Sequence, residues 1–437
     1  MSVSPELPQQ YDQAYNESFD VMPSHLAHKL IEDAELPLRE DGAHKEAFYG
    51  AMGVVRTELS EGAAVQGRRV LYKDERVQPS NSYKSRGASM AVLSQDSRGT
   101  AVTWSTGNHG FSVVLAAERA GCAGVVVEAT ATMSAAKLAL YDGHAAQVHN
   151  VHRDFAAAEQ TALQTAAQPD HFAVPPFGSP EVVAGQCTLG EELVQDLIER
   201  GLADKHVVVP VAVAGGGQIA GFALPIKRAK DEGRLGPNVQ VVAVQPEGTD
   251  TMNRALKKLD AGEVPTGLYQ YDTQDRACDA LVIGEQNLSP LTMSLVGDPE
   301  YVSTVVTVSQ AAIGRAMVAL ESELGGTVEP AAALPRAFAD TIAGHQDTDE
   351  QVVFVLPVSG GNCSQATADH YASVVARDDF RNMSDAYAAR SESVYQEIAR
   401  HLRHANSDSK APREVAYAAL SGLTARYRTG LVTPTSR

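Results

Sequence analysis

Short β-branched runs alternate with alanine-rich helical stretches through most of this chain, and that alternation narrows the possible folds more than any other feature. "RRVLYKDE", "GTAVTWS", "AGVVVEA", "AAQVHNV", "HVVVPVAV", "VQVVAVQ" and "VVFVLPVSGG" read as buried strands. Between them, "GFSVVLAAERAG", "SAAKLALYDGH", "FAAAEQTALQTAAQ", "EELVQDLIERG" and "IAGFALPIKRAKDEG" carry helical apolar spacing. Strands that alternate with helices predict an α/β protein with mainly parallel sheets. Ligands in such sheets sit beyond the carboxyl ends of the strands. Chemistry is therefore expected where a strand gives way to a loop.

The flanks depart from the pattern. Residues 1–40 are polar with little periodicity and read as an N-terminal arm. Residues 376–437 read as a helical C-terminal extension. There "MSDAYAARSESVYQEIARHL" sets Tyr387, Val394, Ile398 and Leu402 along one helical face, and "REVAYAALSGLTARYR" follows a polar break. These helices are expected to cap the body or a subunit interface.

Bulk properties remove several classes of function. A net charge of −18 argues against a phosphate-backbone binder, so no nucleic-acid partner is expected. Cys122, Cys187, Cys278 and Cys363 are widely spaced with no C-x-x-C pair, which gives neither a disulfide framework nor a zinc knuckle. No run approaches the roughly 20 apolar residues of a membrane span, and the first twenty residues lack the pattern of a signal peptide. A soluble, cytoplasmic protein with no membrane partner is the expectation.

Four strand-to-loop junctions carry groups suited to chemistry. In "QPSNSYKSRGAS" (residues 78–89), Lys84 stands in a small, polar turn before a helix; a solvated surface lysine is the ordinary alternative. In "WSTGNHGFS", Ser105, Thr106, Asn108 and His109 surround Gly107 and Gly110 at a helix N-terminus, which suits a carboxylate or a phosphate. In "VVVPVAVAGGGQIAGFA", Gly215, Gly216 and Gly217 leave bare backbone before a helix and form a phosphate cradle. Gly215, Gly217 and Ala220 also satisfy the dinucleotide fingerprint. That fingerprint needs an acidic residue near the end of the next strand, and Gln245 stands there instead. A single phosphate fits better than NAD or ATP. In "VVFVLPVSGGNCS", a strong strand runs into Ser359. An amine, a carboxylate loop, a phosphate cradle and a hydroxyl are together what pyridoxal 5′-phosphate asks for.

With those residues in view, the chain resembles the fold-type II pyridoxal-phosphate enzymes, the tryptophan synthase β-like family, and within it the threonine and serine dehydratases (ammonia-lyases). "QPSNSYKSRGA" is similar to the family's Schiff-base lysine motif, "STGNHG" to its substrate-carboxylate loop, "AGGGQIAG" to its tetraglycine loop and "SGGN" to its ring-nitrogen motif. "VVAGQCTLGEE" and "TVEPAAAL" match further family segments in the expected order, over roughly residues 65–370.

The resemblance implies two three-layer α/β domains with the cofactor in the cleft between them. The large domain would take residues 41–96 and 178–375, and the small domain 97–177. It implies that Lys84 forms the Schiff base and is the catalytic base. Asn108 would meet the cofactor's phenolic oxygen, the backbone of Gly215, Gly216, Gly217 and Gln218 its phosphate, and Ser359 its ring nitrogen. Ser105, Thr106, Asn108 and His109 would bind the amino-acid substrate. A neutral hydroxyl at Ser359 makes a shallower electron sink than a carboxylate and favours prompt loss of a β-substituent. The cofactor phosphate is implied as the acid for the leaving hydroxyl. The implied reaction converts a β-hydroxy amino acid of the threonine, serine or hydroxyaspartate type into a 2-oxo acid and ammonia.

Departures from the pattern keep alternatives in play. Ala214 replaces the first loop glycine and Cys187 a family glycine. Thr106 stands where racemases have a serine base, so racemisation is a further reading. A β- or γ-replacement synthase of a specialised pathway and a non-catalytic cofactor-binding relative are others. Gln245 removes the carboxylate that some relatives use for a divalent cation, so no metal is expected. The pairs His149/His152 and His401/His404 read as surface histidines. Family habit implies a homo-oligomer, dimer or tetramer. Biosynthetic threonine dehydratases carry a C-terminal regulatory domain of alternating strands and helices, whereas this tail reads as helices only, so isoleucine feedback control is not expected.

Overall fold

The computed structural model describes residues 22–39, 42–262, 276–343 and 351–376. In chain order the strands are β1 (Leu59–Glu61), β2 (Arg69–Asp74), β3 (Thr100–Trp104), β4 (Gly124–Thr130), β5 (Ala146–His152), β6 (His171–Ala173), β7 (Val207–Ala212), β8 (Val239–Pro246), β9 (Thr304–Val308) and β10 (Val353–Val358). They form a six-stranded sheet, β1-β2-β10-β7-β8-β9, and a four-stranded sheet, β5-β4-β3-β6. Each pairing among these strands is parallel except that of the short β1 with β2.

A parallel sheet is covered on both faces, and β7, β8 and β10 are accordingly buried along their whole length. The edge strand β5 behaves differently. Its residues alternate between half-buried and exposed, so "AAQVHNV" is not a fully buried strand. Two other expectations also change. "SAAKLALYDGH" is a single helical turn, Ala135–Leu138, followed by a 3-10 turn rather than a full helix. β1, β6 and β9 were not anticipated, since the first two are only three residues long and β9 lies in a stretch of mixed polarity.

Seven helices position the site: α1 (Ser24–Arg39), α2 (Lys84–Leu93), α3 (Asn108–Ala120), α4 (Phe155–Ala166), α5 (Pro180–Glu199), α6 (Gly217–Asp231) and α7 (Pro330–Ala343). The long α5 packs against both α2 and α6. Gly185 makes the first contact possible. A Cβ added there would fall 2.4 Å from the Arg86 carbonyl, so only glycine lets α5 touch the start of α2.

The N-terminal arm is corrected in part. Residues 24–39 form α1, docked by buried Ala27, Ile31 and Leu38 and by Glu35, which pairs with Arg228 of α6 at 3.0 Å. The charged residues between these positions hid an amphipathic stripe. Residues 1–21 and the C-terminal helices expected beyond residue 376, with His401 and His404, lie outside the described residues.

Candidate active site

Four chain segments leave the carboxyl ends of parallel strands and meet in one cleft. After β2, a 3-10 turn leads to Lys84, the first residue of α2. The Lys84 ammonium donates to the Pro176 carbonyl at 2.6 Å and lies 5.2 Å from the centroid of the Tyr83 ring. Burial lowers its pKa to about 8, because a desolvated ammonium is disfavoured.

The segment after β3 brings Ser105, Thr106 and Gly107 to the start of α3. Ser105 Oγ accepts from the Gly107 amide at 3.1 Å. Asn108 Nδ2 lies 2.8 and 2.9 Å from the two Glu329 carboxylate oxygens, while its Oδ1 accepts from Asn362 Nδ2 at 2.8 Å. His109 lines the same cleft, but its Nε2 lies 3.0 Å from the Val174 carbonyl. Burial, and then the charge of Lys84, lower its pKa to about 3. His109 is therefore neutral and offers no positive charge to a carboxylate.

After β7 the chain turns through Ala214, Gly215 and Gly216 into α6. Gly216 has φ +85°, and a Cβ added there would come within 2.7 Å of Thr292. A Cβ on Gly215 would strike the Phe177 ring at 2.3 Å. The bare backbone is thus required by both conformation and space. Gln245 at the end of β8 helps to fix this loop. Its Nε2 donates to the Val213 carbonyl at 3.0 Å and its Oε1 accepts from the Asn253 amide at 2.9 Å. A carboxylate could not make the first of these bonds. The carboxamide that breaks the dinucleotide and metal patterns is a buttress of the cradle.

Ser359 follows β10. Its carbonyl accepts from the Tyr83 amide at 3.0 Å and from Ser82 Oγ at 3.2 Å, which ties the fourth segment to the lysine turn. Lys84, Ser105, Thr106, Asn108, His109, Gly215, Gly216, Gly217, Gln218 and Ser359 all line the cleft. The structure therefore brings together every residue singled out in the sequence for a role at the site.

It also adds some that were not. Glu329, in the quoted "TVEPAAAL", had no assigned role, yet it holds Asn108 and accepts from the Asn362 amide at 2.8 Å. Phe177 covers the glycine loop and stacks on Phe155 at 6.4 Å. An aromatic residue after two prolines was the only available signal for it.

Outside the cleft, His149 and His152 are anchored rather than simply solvated. Both bond the buried Glu128 carboxylate, at 2.9 and 2.6 Å. Among the described residues no cluster of three His, Cys, Asp or Glu side chains is arranged to hold a metal, and none of the four cysteines is in a disulfide.

Residues 52–358 match the family of pyridoxal-phosphate dependent enzymes. The chain belongs to that family. It is 32% identical over 299 residues to the biosynthetic L-threonine dehydratase of Salmonella typhimurium, covering 67% of this chain and 53% of that protein. It is 31% identical over 326 residues to the L-threonine ammonia-lyase of Thermotoga maritima, covering 73% and 74% of the two chains. The chain thus spans about half the length of the first of these relatives. A crystal structure of a threonine deaminase from T.th. superposes with a TM-score of 0.62 at 26% identity, over 76% of this chain and 98% of that one. The mixed α/β architecture with parallel sheets is that of the fold-type II enzymes.

The cleft fits the family's cofactor. His109 Nδ1 and Gln218 Nε2 are buried polar atoms with no hydrogen-bond partner among the described residues. The cradle backbone is bare, and the Ser359 side chain lines the cleft wall. These are the features that a group with a phosphate, an aldehyde and a ring nitrogen would satisfy.

Proposed function

We propose that this chain is a pyridoxal-phosphate dependent ammonia-lyase that eliminates the β-hydroxyl of a threonine-, serine- or hydroxyaspartate-type amino acid, giving a 2-oxo acid and ammonia. The observation that carries the reading is the convergence of Lys84, the carboxylate loop, the glycine cradle and Ser359 on one cleft. Relatives named L-threonine dehydratase, L-threonine ammonia-lyase and L-threo-3-hydroxyaspartate ammonia-lyase support the substrate class.

Bound pyridoxal phosphate supplies an aldehyde that condenses with amines and a ring that withdraws electrons from Cα. Lys84 provides an amine with a lowered proton affinity, able to act as nucleophile and then to take the Cα proton. The start of α3, with Ser105, Thr106 and the Gly107 amide, presents hydroxyls and a helix N-terminus to the substrate carboxylate. Asn108 is held by Glu329 and Asn362, so its carboxamide is pre-oriented toward the cleft. The amides of Gly215, Gly216, Gly217 and Gln218 would hold the phosphate. Ser359 offers a neutral hydroxyl to the ring nitrogen and does not hold it protonated as a carboxylate would. The Phe177 ring lies against Gly215 of the cradle.

In this reading residues 97–177 form the small domain, while residues 41–96 and 178–375 form the large one. Among the described residues no helix is long and apolar enough to cross a membrane. A cytoplasmic homo-oligomer, dimer or tetramer, completes the proposal.

The test is the visible spectrum of purified protein, followed as β-hydroxy amino acids are added one at a time. A cofactor band absent in Lys84→Ala, with 2-oxo acid and ammonia released in equal amounts from one substrate, is the expected result. A protein that stays colourless with added cofactor, or one that binds it and releases neither product from any member of the panel, overturns the reading.

A further inference from the structure

The phosphate end of the cleft holds a side chain that the backbone cradle does not account for. Gln218, the second residue of α6, is only 4% exposed and lines the cleft. Its Nε2 is fully buried and has no hydrogen-bond partner among the described residues. Leaving a buried amide unpaired is costly, and native proteins rarely do so.

Three other buried glutamines are paired at both ends, although Gln240 at the far end of β8 also leaves its Oε1 without a partner among the described residues. Gln245 uses both ends, toward Val213 and Asn253. Gln78 bridges the Val55 amide and carbonyl, at 3.0 and 2.6 Å. The Gln186 carboxamide donates to the Tyr83 carbonyl and accepts from the Gly87 amide, each at 3.2 Å. Gln218 differs from these three, and it does so directly beside the glycines.

Position indicates what is missing. α6 begins at Gly217, so unpaired amides of its first turn face the space that Gln218 borders. The loop from Val213 to Gln218 contains no lysine or arginine. A phosphate dianion there has more acceptor capacity than a few backbone amides fill, and no loop cation competes for it. A neutral side-chain donor completes such a site.

We propose that the Gln218 carboxamide donates a side-chain hydrogen bond to the phosphate of bound pyridoxal 5′-phosphate. The proposal rests on the functional reading above and adds to it a contact made by a side chain rather than by the backbone. Its consequence is retention. Whenever Lys84 is not bonded to the cofactor, non-covalent contacts alone would retain it, and those to the phosphate would be among them. Gln218 then sets how readily the cofactor leaves during turnover.

The experiment uses cofactor-free full-length protein, wild type, Gln218→Leu and Gln218→Met, titrated with pyridoxal 5′-phosphate and separately with pyridoxal, which lacks the phosphate. The second variant guards against one failing to fold. The ³¹P resonance of the bound phosphate is recorded for each protein. The expected result is about tenfold weaker binding of the phosphorylated form, unchanged binding of pyridoxal, and a displaced ³¹P resonance. The apoprotein's unfolding midpoint should stay level or rise, because the variants no longer bury an unpaired amide. Unchanged affinity with an unmoved ³¹P resonance overturns the proposal, as does an equal loss for both compounds. A wild-type protein that binds neither compound overturns the functional reading itself, and this proposal with it. Normal wild-type binding confines any failure to Gln218.

Discussion

Lys73 and Lys84 lie on either side of one short turn, both drawn away from water, yet the chain surrounds them in opposite ways. Lys73 is 0% exposed, and its ammonium meets the Glu192 carboxylate at 3.1 Å, that of Asp196 at 3.3 Å, and the Thr57 carbonyl. Arg86 continues the same network, pairing with Glu75 at 2.8 Å and Glu192 at 2.6 Å. Lys84 has no carboxylate beside it among the described residues. It has a single neutral carbonyl and an aromatic ring, and its pKa falls to about 8. Burial by itself therefore does not make a lysine reactive. What matters is whether the fold supplies the opposite charge. The first region is a clamp joining β2, α2 and α5; the second is a desolvated amine that the clamp holds in place.

That contrast can be broken in graded ways. Lys84→Met should remove catalysis and leave the fold, with turnover down by at least about 10²–10⁴-fold from loss of the base alone; a steady-state assay beside a far-UV spectrum checks both halves. Lys73→Met should do the reverse, costing about 3–5 kcal/mol of stability because two buried carboxylates lose a partner. Denaturant unfolding should register that loss while the cofactor band persists in whatever fraction remains folded. A Lys73→Met protein as stable as wild type would end the comparison.

Gly216→Ala is a smaller change. It forces a Cβ onto a residue at φ +85° and toward Thr292, and the backbone strain costs about 1–2 kcal/mol. Weaker cofactor binding, measured by titration, should accompany it.

The mildest test is pH. The folded chain releases the Lys84 proton near pH 8 and the unfolded chain near 10.5. Between those values the unfolded state binds more protons, so the stability of cofactor-free protein gains a rising component across that window. The rate of cofactor uptake should climb toward pH 8 and level off above it, since only the neutral amine attacks. Lys84→Met should remove the stability component, and unfolding midpoints taken at several pH values measure it.

Much of this was legible before the structure. The strands β2, β3, β4, β7, β8 and β10 are long enough to stand out as β-branched runs, and four of them lead into the residues that line the cleft. The glycine loop was legible because φ > 0 and close approach leave only one residue type. What escaped depends on pairings between distant residues. Glu329 is one acidic residue among 54 aspartates and glutamates, and nothing local marks it as the partner of Asn108. The helix α1 escaped because its core face is interrupted by Glu35, a carboxylate that is buried only because Arg228 meets it. β5 was misjudged because its place at the sheet edge is a property of the topology and not of its own residues.

The position of β10 has a consequence for how the molecule comes into being. It is the last strand of the described chain to be synthesised, yet it lies between β2 and β7 near the middle of the larger sheet. Until it emerges, β2 and β7 have no neighbour on the sides that will face it, and more than 270 residues separate β2 from its eventual partner. Contacts of such sequence separation make folding slow. Ser359 arrives with that strand, as does the carbonyl that ties down the Tyr83 amide. A nascent chain that already carries Lys84, the carboxylate loop and the glycines therefore still lacks the wall that joins them. The cleft is completed only when the centre of the sheet is filled, so a ribosome-bound fragment ending before residue 350 should not capture cofactor.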